Sequence, residues 1–418
     1  MKKLSFLLLF ACLTFACSSD DSDDTVDACA KATNIQVDNI TATSATLTWN
    51  DSNNAGSYFI EYGVSGFAIG SGTTLIETST SREIINLSPE TTYDVYVQVV
   101  CSTDNLSMYS DIYSFTTGTL PVVPEFRPLL SELNLFSGNL GDLQPSPFTF
   151  VYDLNTRLFT DYATKQRLIA LPAGEKMTYN GDGFPLFPDN SVIAKTFYYN
   201  NNETDLSQGK NIIETRIIIK INGSWESGNY RWNASQTDAT LDTDGGVVPV
   251  TWIDANGASQ NVDYEIPASA DCFTCHSNNS EGAIIGPKLR TMNFDINGVN
   301  QLQTLIDNDM LDGLTDPSTV SVLPNWEDSS VGLERQARAY MDINCAHCHI
   351  EGGFCEIQSD LRLAYETDYG ESFISERRNS ILARIQNTIP DYGMPLIGTT
   401  VLHDEGVSLL VDYINSLE

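Results

Sequence analysis

The sequence predicts a multidomain chain: two β-rich domains, each a sandwich, followed by a mainly α-helical one. Three observations carry this. Residues 28–118 alternate apolar and polar side chains with a period of two, and residues 127–265 are again strand-rich between turn clusters such as "NGDG" and "DTDGG". From about residue 266, apolar positions recur instead at helical spacing.

The chain opens MKK, then an apolar run from Leu4 to Ala16, then Cys17. A charged start and an apolar stretch too short to span a bilayer read as a signal peptide over 1–16. "LTFAC" resembles a lipobox that makes Cys17 an acylated N-terminus; Leu13 one place early and bulky Phe15 leave an ordinary secretory signal as the alternative. Residues 17–27 form an acidic tether, and "SSDDSDD" resembles the surface-export signals of some Gram-negative lipoproteins. That resemblance implies an outer-membrane or cell-surface protein held by its lipid alone. With 22 Lys and Arg against 55 Asp and Glu, the net charge is −33. Such a balance argues against nucleic acid and a basic membrane-binding face, and favours a basic partner.

In 28–118 the strands are "ATLTW", "YFIEYG", "EIINL", "YDVYVQVVC" and "IYSFTT". Trp49 at the end of one, and Leu87, Pro89 and Tyr93 in "LSPETTYDVYV", resemble the core tryptophan and tyrosine corner of a fibronectin type III domain. The resemblance puts Cys29 near the start of the first strand and Cys101 at the end of the sixth, which implies a disulfide in an oxidising compartment. This module is expected to act as a spacer. Residues 119–126, with two prolines, read as a linker. In 127–265 charges interrupt the apolar strands at Lys195, Glu214 and Arg216, and they either line a pocket or face solvent.

In the α region, 266–418, "GVNQLQTLIDNDML" puts Leu302, Leu305 and Ile306 on one face, and "LERQARAYMDIN" runs straight into Cys345. "HDEGVSLLVDYINSL" carries a stripe of Val407, Leu410, Val411 and Ile414.

Two pentapeptides carry the chemistry: "CFTCH" at 272–276 and "CAHCH" at 345–349. Two thiols with two residues between them reach both vinyl groups of one porphyrin, and the histidine that follows reaches the iron, so Cys-x-x-Cys-His reads as a c-type haem site. Cys272, Cys275 and His276 would hold one haem, and Cys345, Cys348 and His349 another. Zinc wants four ligands; a single zinc site pooling both motifs would leave ligands over, and bare disulfides are the remaining alternative. His347 is expected on the solvent side of its haem, and Cys355 as a buried free thiol.

Over 333–418 the order of helix, Cys345–His349, a second helical stretch, "YGMPLIG" and a terminal helix resembles a class I cytochrome c. The resemblance implies His349 and Met394 as the axial ligands of the second haem, a pairing that raises the potential. It also makes Pro287, eleven residues after His276, the marker of a carbonyl that holds the proximal histidine of the first haem. For that haem the distal position falls to His403, Met292 or Met310, or is open. Residues 128–418 as a whole resemble a family of predicted dihaem c-type cytochrome lipoproteins, through "DLNTRLFTDYATKQRLIALPAG", "ETRIIIKINGSW", "YRWNASQTDA", "CFTCH" with "IGPKLR", and "MPLIG" with "HDEG". In that family the Met292 position is usually aliphatic. The resemblance implies electron transfer at the cell envelope with no established substrate. Two alternatives remain: a peroxidase-like haem enzyme using an open first haem, and a surface glycan-binding lipoprotein.

Overall fold

The computed structural model describes residues 28–279, 281–388 and 392–417, so the leader, the acidic tether and Cys17 lie outside the described residues. The chain divides between Thr119 and Leu120 into two compact units. Among the described residues no helix is long and apolar enough to cross a membrane.

The first unit packs two antiparallel sheets. One joins β1 (Thr33–Asp38), β2 (Ser44–Asn50) and β5 (Ser81–Ile85). The other joins β4 (Thr73–Glu77), β3 (Tyr58–Val64) and β6 (Thr92–Ser102), with β7 (Asn105–Leu106) and β8 (Tyr113–Thr116) paired to β6. The inward positions Leu47, Ile60, Val95, Val97 and Val99 have no exposed surface, as period-two alternation requires of facing sheets. Trp49 packs edge-on against Tyr58 with ring centroids 5.1 Å apart, and the Tyr93 hydroxyl accepts the Ser88 N–H at 2.9 Å. Cys29 and Cys101, 72 residues apart, are joined in a disulfide. Closing a loop of that length stabilises by roughly 4 kcal/mol in the chain-entropy model.

The second unit is built on a six-stranded antiparallel sheet in the order β15 (Ala239–Asp242), β14 (Ser224–Trp232), β13 (Lys210–Ile221), β12 (Val192–Asn200), β10 (Thr164–Ala170), β9 (Phe150–Val151); β11 (Met177–Thr178) stands outside it. Leu168, Ala194 and Ile217 face one apolar core, covered by Leu130, Leu133 and Leu135 from the segment before the sheet. The opposite face has three zones. Ile169 and Ile193 meet a second core, Phe197 and Tyr199 meet the hairpin of β16 (Gly246–Ile253) and β17 (Ser259–Ile266), and a band of charged residues lies between.

Two expectations are corrected here. Opposite the sheet stand one hairpin and a set of helices, not a second full sheet completing a sandwich. Nor is 265/266 a boundary between separate cores: Tyr152, Ile169 and Ile193 share one apolar cluster with Leu289, Leu302, Leu311 and Ile343. Met177–Thr178 even pairs in parallel with Leu311–Asp312, so residues on both sides of that boundary belong to one unit.

The helices are α1 (Cys272–Cys275), α2 (Leu289–Met292), α3 (Gln301–Asp307), α4 (Leu333–Asn344), α5 (Tyr369–Ser372), α6 (Ile374–Ile385) and α7 (Asp404–Asn415). Asn300 caps α3 by accepting the Leu302 and Gln303 N–H groups, which starts that helix inside the periodic stretch. In α7 Leu410, Tyr413 and Ile414 are buried against Ala337, Tyr340 and Met341 of α4. The two helices approach so closely at Gly406 that a Cβ there would lie 2.3 Å from the Tyr340 hydroxyl oxygen.

Candidate cofactor site

Helix α4 delivers the second motif. The Cys345 N–H bonds back to Met341, and the Cys348 and His349 N–H groups both bond back to the Cys345 carbonyl, so the motif is wound into one turn. Cys345, Cys348 and His349 thereby line one side of a cavity of about 660 Å³, and Met394 lines it too. Leu361, Leu363, Ile381 and Leu410 supply apolar wall. Burial lowers His349 to about 4, which keeps its ring neutral and able to donate a lone pair, and burial pushes the Cys345 thiol up to about 12. His349 Nδ1 is buried with no hydrogen-bond partner among the described residues. The loop ahead of α7 is anchored from the sheet unit: the Asp161 carboxylate accepts the Thr400 N–H at 2.8 Å, the Thr400 hydroxyl at 2.9 Å and the Val401 N–H at 3.2 Å.

The first motif is held differently. After the single turn of α1, a tight hairpin of β18 (Ser277–Asn278) and β19 (Glu281–Gly282) turns the chain back. His276 Nδ1 then lies 3.0 Å from the Ala283 carbonyl, while the Ala283 N–H bonds to the His276 carbonyl at 2.9 Å. A carbonyl partner fixes the proton on Nδ1 and leaves Nε2 as the free lone pair. The carbonyl expected from the Gly-Pro pair at Pro287 is therefore corrected to that of Ala283; Gly286 instead accepts the Thr291 hydroxyl at 2.6 Å. Burial, then the positive charge of Lys195, push His276 down to about 3.

The distal candidates for the first motif fall elsewhere. Met292 is fully buried among Leu289, Leu302 and Leu305, and Met310 packs on the same cluster. His403 lines the cavity of His349 and Met394 instead. Its Nδ1 lies 3.0 Å from the Tyr340 hydroxyl, its Nε2 is 3.6 Å from Glu405, and its ring stacks on Phe159 at 4.1 Å.

Sequence reasoning missed that the two motifs touch. The Asn279 N–H bonds to the Gly352 carbonyl at 2.8 Å, and Asn278 Nδ2 donates to Glu351 at 3.3 Å, so the turns that follow the motifs are clasped together. Cys348 Sγ lies 3.7 Å from the Thr274 carbonyl. The ligand atoms of Cys275, His347 and Cys348 all lie within 4.8 Å of one another, which corrects the expectation that His347 faces solvent. The Cys348 thiol, then His347, draw Cys275 down to about 5, and the same thiol draws Cys355 down to about 7; Cys348 itself is raised. No local sequence signal marks this contact, because 72 residues separate His347 from Cys275.

Turning to known proteins, the Fibronectin type III domain family matches residues 30–116. No curated protein matches the chain. Among solved structures, a redesigned β-sandwich protein is 30% identical, with 22% of this chain and 96% of that one covered and a TM-score of 0.20. The corresponding values are 22%, 21%, 97% and 0.20 for a structure described as a myokine. For the FN5 domain of Drosophila Lar they are 15%, 21%, 96% and 0.19. Residues 30–116 of this chain are a fibronectin type III domain.

Proposed function

We propose that the chain is an envelope-anchored dihaem c-type cytochrome that passes single electrons between protein partners. The observation that carries this reading is the meeting of Cys345, Cys348, His349 and Met394 around one largely apolar cavity. Two thiols, a neutral imidazole and a thioether are the donor set of a covalently held, six-coordinate haem. Haem, when bound, supplies a one-electron iron couple. Cys345 and Cys348 would hold the second haem by thioether bonds, and Cys272 and Cys275 the first. His349 and Met394 would be the iron ligands of the second, and His276, its Nδ1 held by the Ala283 carbonyl, would be a ligand of the first. Apolar walls exclude water, and the Asp161 anchor steadies the loop ahead of α7. In this reading Cys17 carries the lipid, the fibronectin type III domain is a spacer, and the net charge of −33 favours a basic redox partner.

A haem count on the purified protein tests this: two haems per chain are expected by alkaline pyridine spectra and intact mass. Met394→Ala should abolish the weak methionine-to-iron absorption band, and an unchanged spectrum would remove Met394 as a ligand. Rapid binding of carbon monoxide by one reduced haem would move the reading to a haem enzyme with an open position at His276. A second reading rests on the cluster of Cys275, His347 and Cys348 with Cys355 beside it, a Cys₃His set suited to zinc. One zinc and no haem per chain would establish that reading in place of the first.

A further inference from the structure

Strand register places an unusual row across the inner face of the six-stranded sheet. Arg167 pairs with Lys195, Lys195 with Arg216, and Arg216 with Asn229, so three cations and an amide stand abreast on β10, β12, β13 and β14. One residue pair further along, Lys165, Phe197 and Glu214 form the next rank on the same face. The fully buried Phe197 ring is met by Arg216 at 4.6 Å, Lys195 at 5.2 Å and Lys165 at 5.6 Å. Three cations gathered on one ring, in a chain with 22 basic residues against 55 acidic ones, are not an average consequence of composition.

Their charges are unequally balanced. Arg167 pairs with Asp153 at 2.8 Å, and Arg216 pairs with Glu214 at 2.5 Å, where Glu214 also accepts the Tyr264 hydroxyl at 2.6 Å. Among the described residues Lys165 donates only to the Leu158 and Ala163 carbonyls, which carry no charge. Lys195 has no hydrogen bond or ion pair with any described residue. Burial, then the Arg216 and Arg167 guanidinium groups, push Lys195 down to about 7 against the pull of the Glu214 carboxylate.

The row lies beside the first motif. Asn229, its last member, donates to the Pro267 carbonyl at 3.3 Å. Gly282 rests on the backbone of Trp225, where a Cβ would meet the carbonyl oxygen at 1.9 Å. The segment from Pro267 to Gly282, which carries Cys272, Cys275 and His276, therefore crosses β14 next to the row. At the far edge, a cavity of about 450 Å³ lined by Lys165, Arg167 and Lys210, together with Asp142 and Asp153, reaches the row from the side of β10.

We propose that Lys195 and Lys165, backed by Arg216, form a carboxylate-binding wall for the first motif. The wall suits planar oxyanions: two lysines with no ion-paired carboxylate of their own each take up charge against an arriving carboxylate, and Arg216, held by Glu214, fixes the rank beside them. Two sources share this chemistry. One is the pair of propionate groups of the haem held at His276, a source that rests on the dihaem reading above. The other is a free small carboxylate or oxyanion, which does not.

The test compares the full-length protein with Lys195→Met, which keeps the bulk and drops the charge, and with Lys195→Arg, which keeps the charge. For the propionate source, Lys195→Met lowers one of the two midpoint potentials. That potential is the one Met394→Ala leaves alone; Lys195→Arg retains it, and sodium formate at constant ionic strength has no saturable effect. For the free-anion source, formate gives a saturable spectral shift in the parent protein that Lys195→Met loses. Potentials and formate response both unchanged in Lys195→Met would overturn the wall. Should the protein contain no haem, the dihaem reading fails and the wall is tested by itself. A saturable rise in Tm with formate over chloride, absent from Lys195→Met, then supports it, and no rise overturns it.

Discussion

The two Cys-x-x-Cys-His turns share a sequence and little else. The second ends a twelve-residue helix and opens on an apolar cavity shared with Met394. The first follows a strand, is folded back by a two-residue hairpin, and lies against a sheet bearing Lys195 and Arg216. A pentapeptide can supply ligands, but its surroundings set what those ligands do. Were both motifs to hold haem as proposed, low polarity and a thioether would favour a reduced iron at one, whereas neighbouring cations would do so by charge at the other.

One buried carboxylate joins the two regions. Asp342 on α4 accepts from Lys288 at 3.0 Å and Arg290 at 2.8 Å, both on the segment after the first motif, and from the Tyr365 N–H at 3.0 Å. Asp342→Ala would leave Lys288 without its carboxylate and Arg290 with the exposed Glu366 alone, and should cost about 3 kcal/mol, read as a lower denaturant midpoint. Against the cost of burial, Lys288 and Arg290 hold the Asp342 carboxyl below its usual range. A lowered native value gives stability that is complete above the unfolded value near 3.8 and is lost as pH falls through the native one. Acid unfolding of the parent protein should therefore steepen below that point, and the Asp342→Ala profile should be flatter there.

A smaller effect should separate the two sites. Gly282→Ala forces a Cβ into the Trp225 carbonyl and should cost about 2 kcal/mol by overpacking. It should shift the near-ultraviolet and ligand signals of the first motif and spare those of the second. The converse is milder still. Asp161→Asn weakens the hydrogen bonds to Thr400 and Val401, costs about 1 kcal/mol, and should raise hydrogen exchange in the loop ahead of α7 without disturbing His276. Equal responses at both motifs in either variant would mean that the two surroundings are not independent.

What could be read from the chain follows the range over which each feature is decided. The strands around Trp49 and Tyr93, and the helix running into Cys345, are encoded by neighbours within a few residues, and they stand where periodicity put them. Met394 lines the cavity of His349, though only its loop position ahead of the last helix marked it. The Ala283 carbonyl was hidden because a hairpin of two-residue strands, with no apolar alternation to announce it, decides which carbonyl reaches His276. The row from Arg167 to Asn229 was hidden for another reason: its members are 62 residues apart end to end and share a face only through register in three strand pairs. The shared core across 265/266 needed the same long-range information, since Leu289 and Ile169 are each ordinary apolar residues until they meet.

The clasp between Asn279 and Gly352 holds the sulfurs of the two thiol-bearing turns within reach of one another only in the folded chain, and that bears on when Cys275 and Cys348 can react. Once it closes, the sulfurs of Cys275 and Cys348 are in contact, with Cys275 drawn toward its thiolate. In an oxidising compartment such a pair surrenders two electrons and two protons to the local oxidant and becomes a cross-link between the motifs. If haem is attached at these cysteines as proposed, it would have to arrive while the chain is still open, because a protein that folded and oxidised first would be sealed against it.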